Sequence, residues 1–410
     1  MATPVLDTGN TAWMLTSTAL VLFMTLPGLA LFYGGLVRTK NVLSVLMQCF
    51  AIAAVVTVLW VICGYSLVFT PASSPGVNAV IGGLSKAFFA GIPRGALNGS
   101  IPETVFAMYQ LTFAIITPGL IVGAFAERVG FAAMLTVSAL WALLVYVPVA
   151  HWMWGGGWLQ QLGALDFAGG VVVHVTAGVA GLVAALYVGK RKGFPTQPML
   201  PHSLTLSVVG AGMLWVGWFG FNAGSALAAI GSAGMTMAAT QVSAAAAATV
   251  WMGLEWVKNG RPSVLGIITG AVAGLATVTP ASGFVGVGGA LAIGAIAAVV
   301  CFISATTVKR YFGYDDSLDA FGVHGVGGFV GSILTGVFAS VALGGSETIS
   351  IPRQLGVQAL ACTVTAGWSA LVTWGAFRLV DALHKARADE EQELVGLDLT
   401  DHGERGWDLG

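Results

Sequence analysis

The chain has 410 residues, of which 56% are hydrophobic and 9% are charged, and its formal net charge is −1. Soluble globular domains carry about 25% charged residues, so this composition excludes a soluble protein and predicts a multi-pass membrane protein. A net charge near zero, with no basic face beyond the short loops, gives no support to nucleic-acid binding.

Apolar stretches follow one another along nearly the whole chain. Each has about 20 residues, the length that a helix needs to cross about 30 Å of hydrocarbon. We predict an all-α membrane protein with eleven transmembrane helices, the last of them long, and a charged tail at 384–410. In chain order, the predicted spans are 11–34, 43–69, 103–126, 131–151, 168–188, 204–223, 237–257, 263–279, 284–308, 318–343 and 353–383.

The basic residues predict the orientation of these spans. If successive loops alternate sides, only Lys86, Arg94 and Arg353 of the 17 Lys and Arg fall on one side, and the other 14 fall on the opposite side. Lys and Arg accumulate in cytoplasmic loops. The N-terminus is therefore predicted outside and the C-terminus in the cytoplasm.

Two spans carry a histidine within an otherwise apolar run. DFAGGVVVHVTAGVAGLV contains His174 on span five, and FGVHGVGGFVGSIL contains His324 on span ten. Both stretches fit the pattern V-H-x-x-x-G-x-x-G, and both follow a short acidic segment, the dipeptides Leu165-Asp166 and Leu318-Asp319, which match Asp319 to Asp166. Because five is an odd number of spans, the second copy of such a repeat is inverted in the membrane.

The inverted repeat predicts where the two histidines lie. Within a membrane domain at 1–383, repeats at about 11–188 and 204–343 precede a last helix at about 353–383. Such repeats place equivalent positions around a pseudo-two-fold axis, where transporters commonly build their substrate path. The glycines of the pattern let helix backbones approach closely. We therefore predict that His174 and His324 face each other near the midplane.

A pair of buried histidines favours one kind of cargo. An ionisable side chain at membrane depth is costly and faces a partner or a pathway. Two neutral imidazoles can share a hydrogen bond and offer another to a small, neutral, hydrogen-bonding molecule. Haem ligation is an alternative, but the surrounding residues are small, and a proton relay would need more acidic groups than Glu255 near an inner end.

Seven stretches resemble the ammonium transporter (Amt/Mep/Rh) family, in its order and over nearly the whole chain. They are PGLALFYGGLVRTKN, GLIVGAFAERV, HWMWGGGWL, LDFAGGVVVH, GWFGFNAGSA, DDSLDAFGVHGVGGFVG and GLDLTDHGERG. The resemblance, closest to bacterial and archaeal Amt proteins, implies a homotrimer in the cytoplasmic (inner) membrane with one pore per subunit. It implies a transporter of ammonium and methylammonium rather than an enzyme, without cofactor or metal.

The resemblance also implies which residues line the path. His174 and His324 are the twin histidines of the pore. Phe113 in QLTFA and Phe221 in FGFNAG form a stacked gate above them. Without the family context, ordinary packing is the favoured interpretation of both phenylalanines.

A recruitment site at the outer mouth is implied in the same way. Trp154 and Ser225, with the ring of Phe113 and the neighbouring Tyr109, attract ammonium through an indole face and a hydroxyl. Many relatives carry phenylalanine where this chain has Tyr109. Asp166 is expected to orient this region from a helix N-terminus rather than to bind cargo. From sequence alone, a place in an interfacial belt of tryptophans is the favoured interpretation of Trp154.

Further expectations concern the cytoplasmic side. Asp315, Asp316 and Asp319 are expected to cap span ten and order the inner loop. The tail, by resemblance, couples the subunits and supports docking of a PII-type signal protein, while His402 within it is expected to be a surface histidine.

The predicted mechanism is recruitment of ammonium, loss of its proton, and conduction of ammonia past the twin histidines. The alternative is a sensor that binds cargo and signals through its tail. A carrier of other neutral gases is disfavoured, because such cargo needs no cation site at Trp154 and Ser225.

Overall fold

Long apolar helices make up most of the protein. The computed structural model describes residues 5–407. Within this range, ten helices are long and apolar enough to cross a membrane, and α8, with 15 residues, is shorter. In chain order they are α1 Thr8–Leu36, α2 Thr39–Phe69, α3 Glu103–Phe125, α4 Phe131–Leu162, α5 Gly170–Val188, α6 Leu204–Gly224, α7 Gly231–Asn259, α8 Val264–Val278, α9 Val287–Phe312, α10 Phe321–Phe338 and α11 Ile351–Leu383.

These helices follow the order of the predicted spans, and the chain is an all-helical protein of membrane type. At 1.5 Å per residue, α8 extends about 22 Å, which is less than the hydrocarbon thickness. The count of eleven spans and their orientation therefore stay predictions. The ends of the predicted domains, 1–4 and 408–410, lie outside the described residues.

Several long helices contain wider, π-helical turns. In α1 the π-helical turn Met24–Leu29 contains Pro27, which has no backbone N–H to donate. Helices α5 and α10 both begin in such a turn, Gly170–Val175 and Phe321–Gly325, and each turn contains one of the two histidines. π-Helical turns occur frequently at functional sites.

The segment between α2 and α3 is hydrogen-bonded to α4 at His151. It contains a hairpin of β1 (Leu97–Asn98) and β2 (Ile101–Pro102), which pair antiparallel. The ring nitrogens of His151 lie 2.7 Å from the carbonyl oxygen of Val68 and 2.6 Å from that of Asn78. Helix α4 is thus held to the end of α2 through Val68 and to this segment through Asn78, just before the turn within α4 that follows Trp154.

A buried ionic cluster joins the loops at the opposite end of the helices. Arg38 pairs with Glu127 at 2.6 Å, and Arg191 pairs with Asp315 at 2.8 Å. The Arg128 guanidinium donates to the Asp315 carbonyl oxygen at 2.8 Å. Burial acts to raise the pKa of Asp315, but the hydrogen bonds and charge of Arg191, together with the charge of Arg128, outweigh it and hold the pKa below its usual range. Asp315 therefore orders the loop, and it does not cap α10 as was expected.

The tail folds back onto the helix ends through two short helices, α12 (Glu390–Val395) and α13 (Leu397–His402). Asp398 accepts the amide of Ser44 at 2.8 Å, near the start of α2, and Asp401 accepts the amide of Phe131 at 2.9 Å, at the start of α4. Arg387 donates to the last carbonyl of α5 at 2.8 Å. The carboxylates of Asp398 and Asp401 lie at helix N-termini and the guanidinium of Arg387 lies at a helix C-terminus, where a charge of each sign is favourable.

The expectation that His402 is a surface histidine is wrong. Its side chain is half-buried, and its ring packs edge-on against Phe131 with 5.1 Å between the centroids. Because Asp401 next to it caps α4, the backbone brings the imidazole against the first residue of that helix. His402 is therefore part of the contact between the tail and α4.

Candidate functional site

The helix that carries His174 begins at a buried carboxylate. The two oxygens of Asp166 accept the backbone N–H groups of residues 169–172 at 2.6 to 3.0 Å. The first N–H groups of a helix have no partner within it, so one side chain satisfies donors that would otherwise be unpaired. Burial raises the pKa of Asp166 to about 6, and these hydrogen bonds oppose the shift.

Asp316 has the same place relative to His324. It lies eight residues before that histidine, as Asp166 lies eight before His174. Its oxygens accept the amides of residues 320 and 321 at 3.0 and 2.8 Å. The two histidine helices thus begin in the same manner, each with an aspartate cap.

Asp319 is not the counterpart of Asp166, although both follow a leucine in the sequence. It has a left-handed backbone with φ 59°, as does Gly169 with φ 108°, and each lies three residues after its capping aspartate. The Asp319 side chain pairs with Lys309 at 2.5 Å. The matching of Asp319 to Asp166 by the preceding leucine was therefore wrong by three residues.

The two histidine rings lie side by side in the interior. Their centroids are 5.2 Å apart and their planes differ by 12°. Two glycines allow this approach: a Cβ on Gly178 would lie 2.1 Å from the Gly325 nitrogen, and one on Gly328 would lie 2.7 Å from the His174 Cβ. The rings are stacked, and among the described residues no hydrogen bond joins them.

A narrow cavity runs along these rings. Its free volume is about 10 Å³, close to the smallest that holds one water molecule. Besides the two histidines, its lining is apolar and consists of Met24, Leu29, Phe32, Ile116, Leu120, Val173, Leu214, Trp218, Phe221 and Val272. His324 also lines a second cavity of about 690 Å³, which reaches the ionic loops at Arg191 and Lys309. His324 therefore lies where the narrow cavity meets the wide one.

Phe221, which lines the narrow cavity, stacks on Phe113. The rings of Phe113 and Phe221 stack with 4.1 Å between centroids and 19° between planes, and Phe221 lies 6.3 Å from His174. The Trp154 ring meets Phe113 edge-on at 6.0 Å. The Trp154 indole N–H donates to the Asp166 carbonyl oxygen at 2.9 Å, which fixes the ring over the start of α5.

The remaining residues of the predicted recruitment site lie beside these two phenylalanine rings. The Ser225 hydroxyl donates to the Phe221 carbonyl oxygen at 2.9 Å, and Ser225 is half-buried. Tyr109 is fully buried, and its hydroxyl lies 2.8 Å from the same carbonyl oxygen. The structure thus brings together all eight residues that the sequence singled out, but it turns the hydroxyl of Tyr109 toward backbone.

Trp218 is not among the residues predicted from the sequence. Its ring stacks on His174 with 5.6 Å between centroids and 21° between planes, and its N–H donates to Thr279 at 2.9 Å. The spacing in the sequence does indicate its position, because Trp218 lies three residues before Phe221 and residues three apart lie on the same face of a helix. With 13 tryptophans in the chain, this spacing alone does not distinguish Trp218 from the others.

Comparisons with known proteins identify a family. The model of the Ammonium Transporter Family matches residues 12–407. The ammonium transporter of Bacillus subtilis (strain 168) is 46% identical over 405 residues, 97% of this chain and 98% of that protein. Ammonium transporter Amt1 of Archaeoglobus fulgidus is 43% identical over 399 residues, 97% of this chain and 98% of that protein.

Solved structures give the same result. Mep2 of Saccharomyces cerevisiae matches with a TM-score of 0.86 and 35% identity, over 94% of this chain and 88% of that one. A sensor Amt protein matches with a TM-score of 0.88 and 28% identity, over 96% and 98% of the two chains. This chain therefore belongs to the ammonium transporter family.

Proposed function

We propose that this protein transports ammonium across the cytoplasmic membrane by taking up ammonium at one mouth, removing its proton, and passing ammonia along His174 and His324. The observation that carries the proposal is the narrow apolar cavity between the stacked phenylalanines and the two imidazoles. An ion without its water is costly in such a cavity. Ammonium can release its charge as a proton, and potassium cannot, so the cavity separates the two by chemistry.

Recruitment takes place outside the gate. Trp154 and Phe113 offer aromatic surface to a cation, an attraction of about 1 to 2 kcal/mol in a partly dry site. The half-buried Ser225 offers lone pairs to the N–H groups of ammonium. An attraction of this size concentrates the ion at the mouth without trapping it. Asp166 acts indirectly, because its backbone carbonyl holds the indole of Trp154.

The architecture that fits this function has eleven spans, with the N-terminus outside and the tail in the cytoplasm. Inverted repeats at 11–188 and 204–343 are supported by the matched aspartate caps and by reciprocal glycine contacts. Gly178 meets the backbone after His324, and Gly328 meets the backbone around His174. The family relationship supports a homotrimer, methylammonium as a second cargo, and a PII-type partner at the tail.

The test is the double variant His174→Ala and His324→Ala in proteoliposomes. We expect ammonium uptake to be lost or potassium to be admitted, because the hydrogen-bonding groups of the cavity are gone. His384→Ala, an exposed histidine of the tail, is the matched control and keeps wild-type uptake. Unchanged ammonium uptake with unchanged potassium rejection in the double variant contradicts the proposed role.

The route of the proton is decided by a second measurement. If the proton returns to the outer side, transport carries no charge, whereas a proton that crosses with ammonia makes transport electrogenic. Currents on a solid-supported membrane after an ammonium jump distinguish the two. Uptake without current excludes the electrogenic version.

A sensor is the second candidate function. The tail contacts favour it, because Arg387 caps the helix that carries His174 and so connects the cavity to a segment that a partner can reach. A sensor Amt protein is also among the structural neighbours. Methylammonium uptake by proteoliposomes separates the candidates, since binding without flux supports the sensor and flux supports the transporter.

A further inference from the structure

The hydroxyl of Tyr109 is hydrogen-bonded to backbone carbonyl groups. Its oxygen lies 2.8 Å from the carbonyl oxygen of Phe221, 2.9 Å from that of Gly220 and 3.2 Å from the Ser225 hydroxyl, and the side chain is 0% exposed. A phenol has one proton, and a carbonyl oxygen only accepts. The proton of Tyr109 therefore goes to the end of α6, and the group is not presented to cargo at the mouth.

The carbonyl of Phe221 needs such a donor. At the end of α6 the helix tightens, and the Ser225 amide donates to the Asn222 carbonyl at 3.0 Å instead of to Phe221, its usual partner four residues back. Carbonyls in the last turn of a helix lack backbone donors and are satisfied by side chains. The hydroxyls of Tyr109 and Ser225 take that place, so Tyr109 holds the turn that carries one gate ring.

The ring of Tyr109 contacts the other half of the gate. It packs against Phe113, four residues later on α3, with 5.1 Å between centroids and 63° between planes. Helices α3 and α6 both pack against α1 more than against each other. Tyr109 is thus a direct link between them at the level of the gate. A Cβ on Gly224 would lie 2.8 Å from its hydroxyl oxygen, so glycine leaves the room for it.

We propose that Tyr109 is a positioning residue that sets the separation of the Phe113 and Phe221 rings and thereby the size of cargo that passes. The proposal rests on the proposed function, which takes these rings as the gate. Ammonium and methylammonium differ by one methyl group, so their relative rates report the separation of the rings. A phenylalanine at 109 keeps the ring contact and removes only the hydrogen bond.

The transport test compares Tyr109→Phe with the wild-type chain in proteoliposomes, over a range of ammonium and methylammonium concentrations. We expect the ratio of maximal methylammonium to ammonium rates to rise about fivefold, the factor that one net hydrogen bond represents, at unchanged half-saturation concentrations. Tyr311→Phe, which changes an 82% exposed tyrosine, is the matched control and keeps the wild-type ratio. A raised half-saturation concentration at an unchanged ratio makes Tyr109 a cargo ligand and overturns the proposal, as does no change at all.

A second measurement does not depend on transport. Hydrogen–deuterium exchange of the segment 219–226 is compared between Tyr109→Phe and wild type, with α11 as the internal reference. We expect exchange at the end of α6 to be about fivefold faster and exchange in α11 to be unchanged. Equal exchange in the two proteins overturns the positioning role. If the wild-type chain takes up neither ammonium nor methylammonium, the proposed function and the size selection fail, and the exchange result still decides whether Tyr109 holds the turn.

Discussion

The crossing of the two histidine helices depends on Gly178, and Gly178→Ala is the sharpest test of the site. A Cβ at this position would lie 2.1 Å from the nitrogen and 2.2 Å from the Cα of Gly325. Ordinary contact begins at 3.4 Å, so the backbones must separate by about 1.3 Å. Both clashing atoms belong to backbone, and no flexible side chain can relieve the overlap.

The cost follows from this geometry. Overpacking of a buried contact destabilises a protein by about 1 to 3 kcal/mol, and a 1 Å misplacement of reacting groups costs on the order of 100-fold in catalysis. Gly325 directly follows His324, so the displacement moves one imidazole relative to the other. We therefore expect a lower unfolding temperature in detergent and a loss of ammonium uptake of tenfold or more, by the same reasoning.

The control is Gly375→Ala on α11, where an added Cβ meets nothing within 4 Å. Alanine in a helix interior is favoured over glycine by about 1 kcal/mol, so this variant unfolds at the same or a higher temperature and transports normally. If Gly178→Ala unfolds and transports like Gly375→Ala, the close crossing is not required and the reasoning is refuted.

Three further outcomes follow from buried charges. Arg191→Gln removes the charged hydrogen-bond donor of the buried Asp315, whose carboxylate then keeps only Arg128, at 3.5 Å, as a charged partner, and costs about 1.5 to 3 kcal/mol at pH 7. Because the pKa of Asp315 is lowered in the folded protein, its contribution is lost as the pH falls below about 4, so the stability difference from wild type shrinks on acidification. A difference that stays constant in chemical denaturation from pH 7 to pH 3 contradicts this pairing. Asp166→Asn places an amide N–H opposite the backbone N–H groups of residues 169–172 and lowers the free energy of unfolding by about 1 to 3 kcal/mol. Thermal unfolding measures this loss, and an unchanged unfolding temperature argues against the cap. Asp398→Ala removes a helix cap that contributes about 1 kcal/mol to the docking of the tail. We expect limited proteolysis to cut the tail faster in this variant than in the control Glu404→Ala, which changes an exposed residue of the tail. Equal cleavage rates count against docking through this cap.

The amino-acid pattern by itself determined the class of the protein and the residues worth following. Apolar length is a local property, so the order of the helices was predictable from composition along the chain. The repeated V-H-x-x-x-G-x-x-G pattern identified His174 and His324, because histidine is conspicuous in a membrane span. Family resemblance supplied Trp154, Ser225 and Phe221, which periodicity alone does not separate from ordinary packing.

Only the tertiary structure decided what these side chains face. Tyr109 and the carbonyl of Phe221 are 112 residues apart, so no local pattern predicts that a hydroxyl next to the mouth is committed to backbone. The dipeptide before each histidine pattern matched Asp319 to Asp166, whereas the amides that need a cap selected Asp316. Trp218 was one tryptophan among many until its ring was found against His174. In each case the contact joins segments distant in sequence, and the packing of the helices fixes which donors meet which acceptors.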